Sequence, residues 1–93
     1  MHRTIQRLVS EYKVIQTKKV RMELNACGLE LDDILHIILA ADEITATLIS
    51  DHPMYRGDTL YVITGQAING EWIYVKGKIE DDLFVLISAH PAR

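Results

Sequence analysis

The chain of 93 residues has one cysteine, two prolines, five glycines and an aromatic content of only 6%. A lone Cys27 cannot close an internal disulfide, so a stapled secreted scaffold is excluded and the composition fits a reducing, cytoplasmic location. So little proline and glycine leaves no room for a low-complexity linker. No apolar run approaches the roughly 20 residues that a membrane-spanning helix needs. The longest one is broken by His36 and Asp42. From His2 to Lys19 charged and apolar residues alternate, which is not the pattern of a secretion signal, and no membrane partner is expected. The histidines His2, His36, His52 and His90 show no zinc-site spacing, so no metal and no cofactor are expected.

What is present suits one folded domain, residues 1–93. Hydrophobic residues make up 48% and charged residues 25%, both ordinary globular values. The net charge of −3 is unevenly placed. Met1 to Met22 carries Arg3, Arg7, Lys13, Lys18, Lys19 and Arg21 against Glu11 alone, a balance of +5, which leaves −8 for the rest. An acidic total argues against indiscriminate nucleic-acid binding, whereas a basic segment beside a cleft attracts a phosphate chain locally. A solvated basic helix is the plainer explanation of the same residues.

Hydrophobic spacing gives the order of elements. Ile5, Leu8, Val9 and Tyr12 recur at helical spacing behind Thr4, an N-cap residue. Lys13 to Thr17 is extended, and Thr17 then caps a helix in which Val20, Leu24 and Cys27 share a face before Gly28 ends it. Cys27 on that apolar face reads as a structural thiol. Asp32-Asp33 opens a third helix with Ile34, Ile37, Ile38 and Ala41 as its buried stripe. Strands are expected from Ile44 to Ser50, Thr59 to Gln66, Trp72 to Ile79 and Leu83 to Ala89. Asn69-Gly70 is the strongest turn signal, since both residues tolerate positive φ. Residues 51–58, including Arg56-Gly57-Asp58, read as a polar loop. The expected fold is α+β, with N-terminal helices on one face of an antiparallel sheet in the order α-β-α-α-β-β-β-β.

One strand carries the best functional signal. Ile73, Val75 and Ile79 alternate with Trp72, Tyr74, Lys76 and Lys78, so the two sets face opposite sides of the sheet. Aromatic rings mixed with ammonium groups suit base stacking and phosphate attraction, and they also suit a merely solvated face. If Glu80-Asp81-Asp82 is a three-residue loop, Ile79 pairs with Leu83, Tyr74 lies opposite Ser88 and Trp72 opposite His90. Leu83, Val85 and Ile87 then point to the core. A two-residue loop reverses that choice. The first register gathers Tyr74, Lys76, Ser88 and His90, a group able to perform acid–base work on a phosphodiester.

These features together resemble the MqsR-type mRNA interferase toxins and a related domain-of-unknown-function family, both allied to RelE-like ribonucleases. The resemblance rests on Ile5-Gln6-Arg7-Leu8-Val9, Val14-Ile15-Gln16-Thr17, Cys27-Gly28-Leu29, Asp32-Asp33-Ile34, Tyr74-Val75-Lys76 and Ser88-Ala89-His90-Pro91. It implies a metal-independent endoribonuclease of a toxin–antitoxin pair, with RNA as substrate and a protein antitoxin as partner. The implied catalytic set is Tyr74, Lys76, His90 and Lys19, with Trp72, Lys78 and Arg21 contacting RNA. The uncharacterised relatives usually carry a histidine where Lys19 stands and another near Tyr74. The alternative is a non-catalytic protein-interaction module using the same sheet face. Whether the chain forms a homo-oligomer is left open.

Overall fold

The computed structural model describes residues 1–92 and has the expected order of elements. Helix α1 (His2–Ser10) is followed by strand β1 (Val14–Gln16), α2 (Lys18–Cys27) and α3 (Leu31–Ala40). The strands β2 (Ala46–Ile49), β3 (Thr59–Gln66), β4 (Trp72–Glu80) and β5 (Leu83–Pro91) complete the chain. All five strands lie in one sheet, ordered β1-β5-β4-β3-β2. β2 to β5 form the expected antiparallel meander, to which β1 adds a parallel edge beside β5.

Local chemistry explains the helix ends. Thr17 Oγ1 accepts the Val20 N–H at 3.3 Å, and Gly28 closes α2 in the left-handed region at φ 69°. At the start of α3 the Glu30 N–H donates to Asp33 Oδ2 at 2.8 Å. The end of α3 has no glycine cap. Its last carbonyls instead receive the side-chain amide of Gln6, which donates to Ile38, Leu39 and Ala41 at 3.1 to 3.2 Å. This ties α1 to α3. Thr4 lies inside α1 rather than capping it, because Met1 takes the cap position. Tyr12 leaves the stripe expected of it: it follows the helix at φ 57°, turns the chain into β1 and is exposed.

Ile5, Leu8, Val9, Ile34, Ile37 and Ile38 share one buried cluster with Val20 and Leu24 of α2 and with one face of the sheet. That face presents Ile63, Ile73, Val75, Phe84, Leu86 and Ala89. Burying a side chain of this kind contributes about 1.5–3 kcal/mol.

The turns correct two expectations. In the β3–β4 hairpin only Gly70 uses positive φ, at 88°. The Gly70 N–H donates to the Ala67 carbonyl and Ala67 N–H to the Glu71 carbonyl, so Ile68-Asn69-Gly70 forms a three-residue loop whose last position alone is left-handed. The β4–β5 connection is shorter than expected. Asp81 and Asp82 form a two-residue turn at φ 51° and 58°, and Glu80 pairs with Leu83. Asp82 is held from α1 and its exit by Arg7 at 3.1 Å and Lys13 at 2.9 Å, which draw its carboxyl below the usual carboxylate range.

This turn reverses the side chains near it, so Phe84 and Leu86 face the core instead of Leu83, Val85 and Ile87. Between the pairs Gly77–Leu86 and Lys76–Ser88 the register shifts by one residue, leaving Ile87 unpaired in a β-bulge. Beyond the bulge Ser88 pairs with Lys76 and His90 with Tyr74, each one pair displaced from the expected partner. The bulge coincides with Gly77, over which the Phe84 ring packs: a Cβ there would stand 2.6 Å from Phe84 Cζ and 2.8 Å from the Val85 carbonyl oxygen. Replacing Gly77 by alanine is expected to destabilise the protein by about 1–3 kcal/mol through overpacking, measured by urea unfolding. An unchanged midpoint would show that Phe84 does not depend on the missing side chain.

Candidate functional site

The sheet face turned away from the main cluster carries Tyr74, Lys76 and Lys78 of β4 and Ser88 and His90 of β5. Tyr74 and His90 are direct cross-strand partners and stack with centroids 5.1 Å apart and planes 12° from parallel. His90 Nδ1 lies 2.9 Å from the Pro91 carbonyl oxygen. A carbonyl only accepts, so Nδ1 carries the proton and the neutral ring keeps its lone pair at Nε2. His90 can therefore take a proton at Nε2 without losing this bond.

Two residues along β4, about 7 Å by strand rise, Lys76 reaches a cleft of about 380 Å³. One wall is the start of α2, with Thr17, Lys18 and Lys19; the other is the segment carrying Ser50, His52, Met54 and Tyr55. Leu60 and Ile87 line its floor. With Val62 they are buried while standing outside the main cluster, so this face has a small apolar layer of its own. Three lysines and no Asp or Glu line the cleft. In a chain of net charge −3 that makes it a local site for anions, and the helix start adds to the same field.

The loop from Ser50 to Asp58 is closed on itself. Ser50 N–H donates to the Asp58 carbonyl and Gly57 N–H to the Ser50 carbonyl, both at 2.9 Å. Inside it the Met54 N–H donates to His52 Nδ1 at 3.1 Å, so the ring proton lies on Nε2, the reverse of His90. Lys78 anchors the loop to the sheet, contacting Asp58 Oδ2 at 2.9 Å and Glu80 Oε2 at 2.6 Å, with its ammonium 5.2 Å from the Tyr55 ring centroid. The Glu80 and Asp58 carboxylates hold that ammonium above the usual lysine range.

The structure thus brings Lys19 and Lys76 to one cleft and sets Tyr74 with His90 beside it. It does not gather the remaining expected residues. Arg21, two positions from Lys19 and so about 200° around the helix, lies in a separate hollow with Leu24, Asn25 and Leu29. Trp72 is exposed at the far end of β4, where it lines a separate hollow with Ala41 and Gln66 rather than the cleft. The charge of Lys78 is matched by two carboxylates. In the sequence Lys18 reads only as part of the basic segment, Ser50 only as the end of a strand, and His52, Met54 and Tyr55 only as polar loop. A histidine and a tyrosine within one short loop were the available signal.

Glu23 was also missed. Its carboxylate accepts the Ala89 N–H at 3.1 Å and the Ser88 hydroxyl at 3.3 Å. Those contacts satisfy the edge of β5 past the end of β1, whose pairing stops at Leu86.

Among the described residues no group of three or more His, Cys, Asp or Glu side chains is placed to hold a metal ion. No helix among them is long and apolar enough to cross a membrane. No protein-family model matches the chain, and no match is found among the curated proteins.

Removing the anchor with Lys78→Met should free residues 50–58, seen as faster proteolysis after Arg56 while the helices stay protected. Because the lysine is raised, its contribution is complete at neutral pH and below, and is lost as pH climbs through the raised value. The wild-type loop should therefore stay protected from hydrogen exchange until above about pH 10. Release between pH 6 and 8 would show that another group holds it.

Proposed function

We propose that this chain is a metal-independent endoribonuclease of the toxin type, cytoplasmic, acting on mRNA and held inactive by a protein antitoxin. The observation that carries the proposal is the Tyr74–His90 stack, with a lone pair at His90 Nε2, beside a lysine-lined cleft free of carboxylates.

RNA brings its own nucleophile, so the protein need only move two protons and neutralise charge. The 2′-hydroxyl attacks the adjacent phosphorus while His90 Nε2 accepts its proton. The phosphorus–5′-oxygen bond breaks and the Tyr74 hydroxyl protonates the departing oxygen. The products are a 2′,3′-cyclic phosphate and a 5′-hydroxyl. Lys76 and Lys19 stabilise the additional negative charge on the pentacovalent phosphorus, and Trp72 offers an exposed ring to a base farther along the strand.

The rival reading, a non-catalytic protein-interaction module, has in its favour the exposed Ile68 and Trp72 near one end of the β3–β4 hairpin. Under that reading Trp72→Ala abolishes complex formation and Tyr74→Phe changes nothing.

Induced expression separates the two. Wild-type protein should arrest growth and yield RNA fragments ending in cyclic phosphate, in the presence of EDTA as well. Tyr74→Phe and His90→Ala should each lower cleavage by about 10²–10⁴-fold with the fold retained. Harmless wild-type expression with intact RNA would sink the ribonuclease reading.

A further inference from the structure

Whatever chemistry follows, the cleft has the form of a binding site with two kinds of wall. We propose that it seats one nucleotide of a single-stranded RNA, its base over Leu60 and Ile87 and its phosphate among Lys18, Lys19 and Lys76, with His52 as a hydrogen-bonding ligand through Nε2. This rests on the reading of RNA as the substrate and extends it to a subsite and a residue.

Size and surface select the ligand class. A volume of about 380 Å³ lies in the range of small-molecule sites and suits one nucleotide rather than a duplex. Leu60 and Ile87, 4% and 6% exposed, make an apolar floor for a flat ring. None of the thirteen Asp and Glu residues lines the cleft, against three of the ten Lys and Arg. No carboxylate therefore stands in the lining to repel a phosphate, whereas Lys78 nearby is already held by Asp58 and Glu80. The cleft also adjoins, through Lys76, the strand that carries Tyr74, two residues from the Tyr74–His90 pair.

His52 has a role that its tautomer defines. With Nδ1 accepting the Met54 N–H, the ring presents only a donor at Nε2, suited to a phosphate oxygen or a base carbonyl. Taking up a proton would require Nδ1 to release Met54. His52 is therefore a binding residue, distinct from His90, whose Nε2 is an acceptor.

The test uses the full chain and a pool of mixed-sequence single-stranded hexanucleotides bearing 2′-fluoro in place of every 2′-hydroxyl, so that no cleavage can occur. Binding is read by fluorescence anisotropy at fixed salt. His52→Gln places an amide donor near the position of Nε2 and should bind within about threefold of wild type. His52→Asn keeps an acceptor for Met54 but withdraws the donor, and should bind about tenfold or more weakly, as His52→Ala does. Lys76→Ala should weaken binding more than Arg3→Ala, which removes the same charge from α1.

Equal binding by His52→Asn and wild type, or equal losses for Lys76→Ala and Arg3→Ala, overturns the subsite. So does a wild-type protein that ignores the oligonucleotides, even if it cuts natural RNA. Equal affinity for a 5′-mononucleotide and a hexanucleotide overturns the assignment to RNA and leaves a free-nucleotide site. Binding of the fluoro oligonucleotides that depends on His52, with natural RNA left uncut, supports the subsite and removes only the ribonuclease reading.

Discussion

Side chains on a strand alternate between faces, so one residue more or less between two strands exchanges everything they show. In this protein that exchange happens twice. The two-residue turn at Asp81-Asp82 pairs Glu80 with Leu83 and sends Phe84 and Leu86 inward. The bulge at Ile87 then restores the opposite alternation, placing Ser88 and His90 on the face of Lys76 and Tyr74. Without it the hairpin would continue in a single register and His90 would point toward the helices. Beside the bulge the Phe84 ring occupies the space that a side chain at Gly77 would fill. The Tyr74–His90 stack and the place of Ser88 on the polar face follow from that local irregularity.

The distribution of charge follows a related division. Asp82 is paired with Arg7 and Lys13, Asp58 and Glu80 with Lys78, and Glu23 with the edge of β5 that β1 leaves unpaired. Asp82, Asp58 and Glu23 each join elements distant in sequence, while Glu80 meets Lys78 within β4. The lysines of the cleft belong to no ion pair among the described residues. The exposed pairs of Asp82 contribute little stability individually, whereas the Lys78 side chain is largely buried. The unpaired lysines and the carboxylate-free lining together give an acidic chain a cationic concavity.

Two histidines border the polar face with opposite protonation patterns, each set by a single backbone group. Pro91 fixes His90 as a donor at Nδ1, and Met54 fixes His52 as an acceptor there. In neutral imidazole this makes one outer nitrogen basic and the other a donor. Proton transfer and ligand binding thus fall to separate residues.

By itself the sequence determined what depends on neighbours a few residues away. Thr17 and Gly28 bound α2 through a cap and a left-handed stop, the 3.6-residue spacing marked Ile34, Ile37 and Ile38 as buried, and alternation marked Tyr74 and Lys76 as co-facial. It also placed His90 on the face of Tyr74, although by way of a three-residue loop that does not form and with different pairs opposed. Only the tertiary structure showed the bulge, which lies where the Phe84 ring packs over Gly77 of the neighbouring strand. Only it could seat the loop of His52 over the sheet, since the anchor joins Asp58 to Lys78, twenty residues on. Local propensity carries no record of contacts made across the fold, and the cleft is built almost wholly from such contacts.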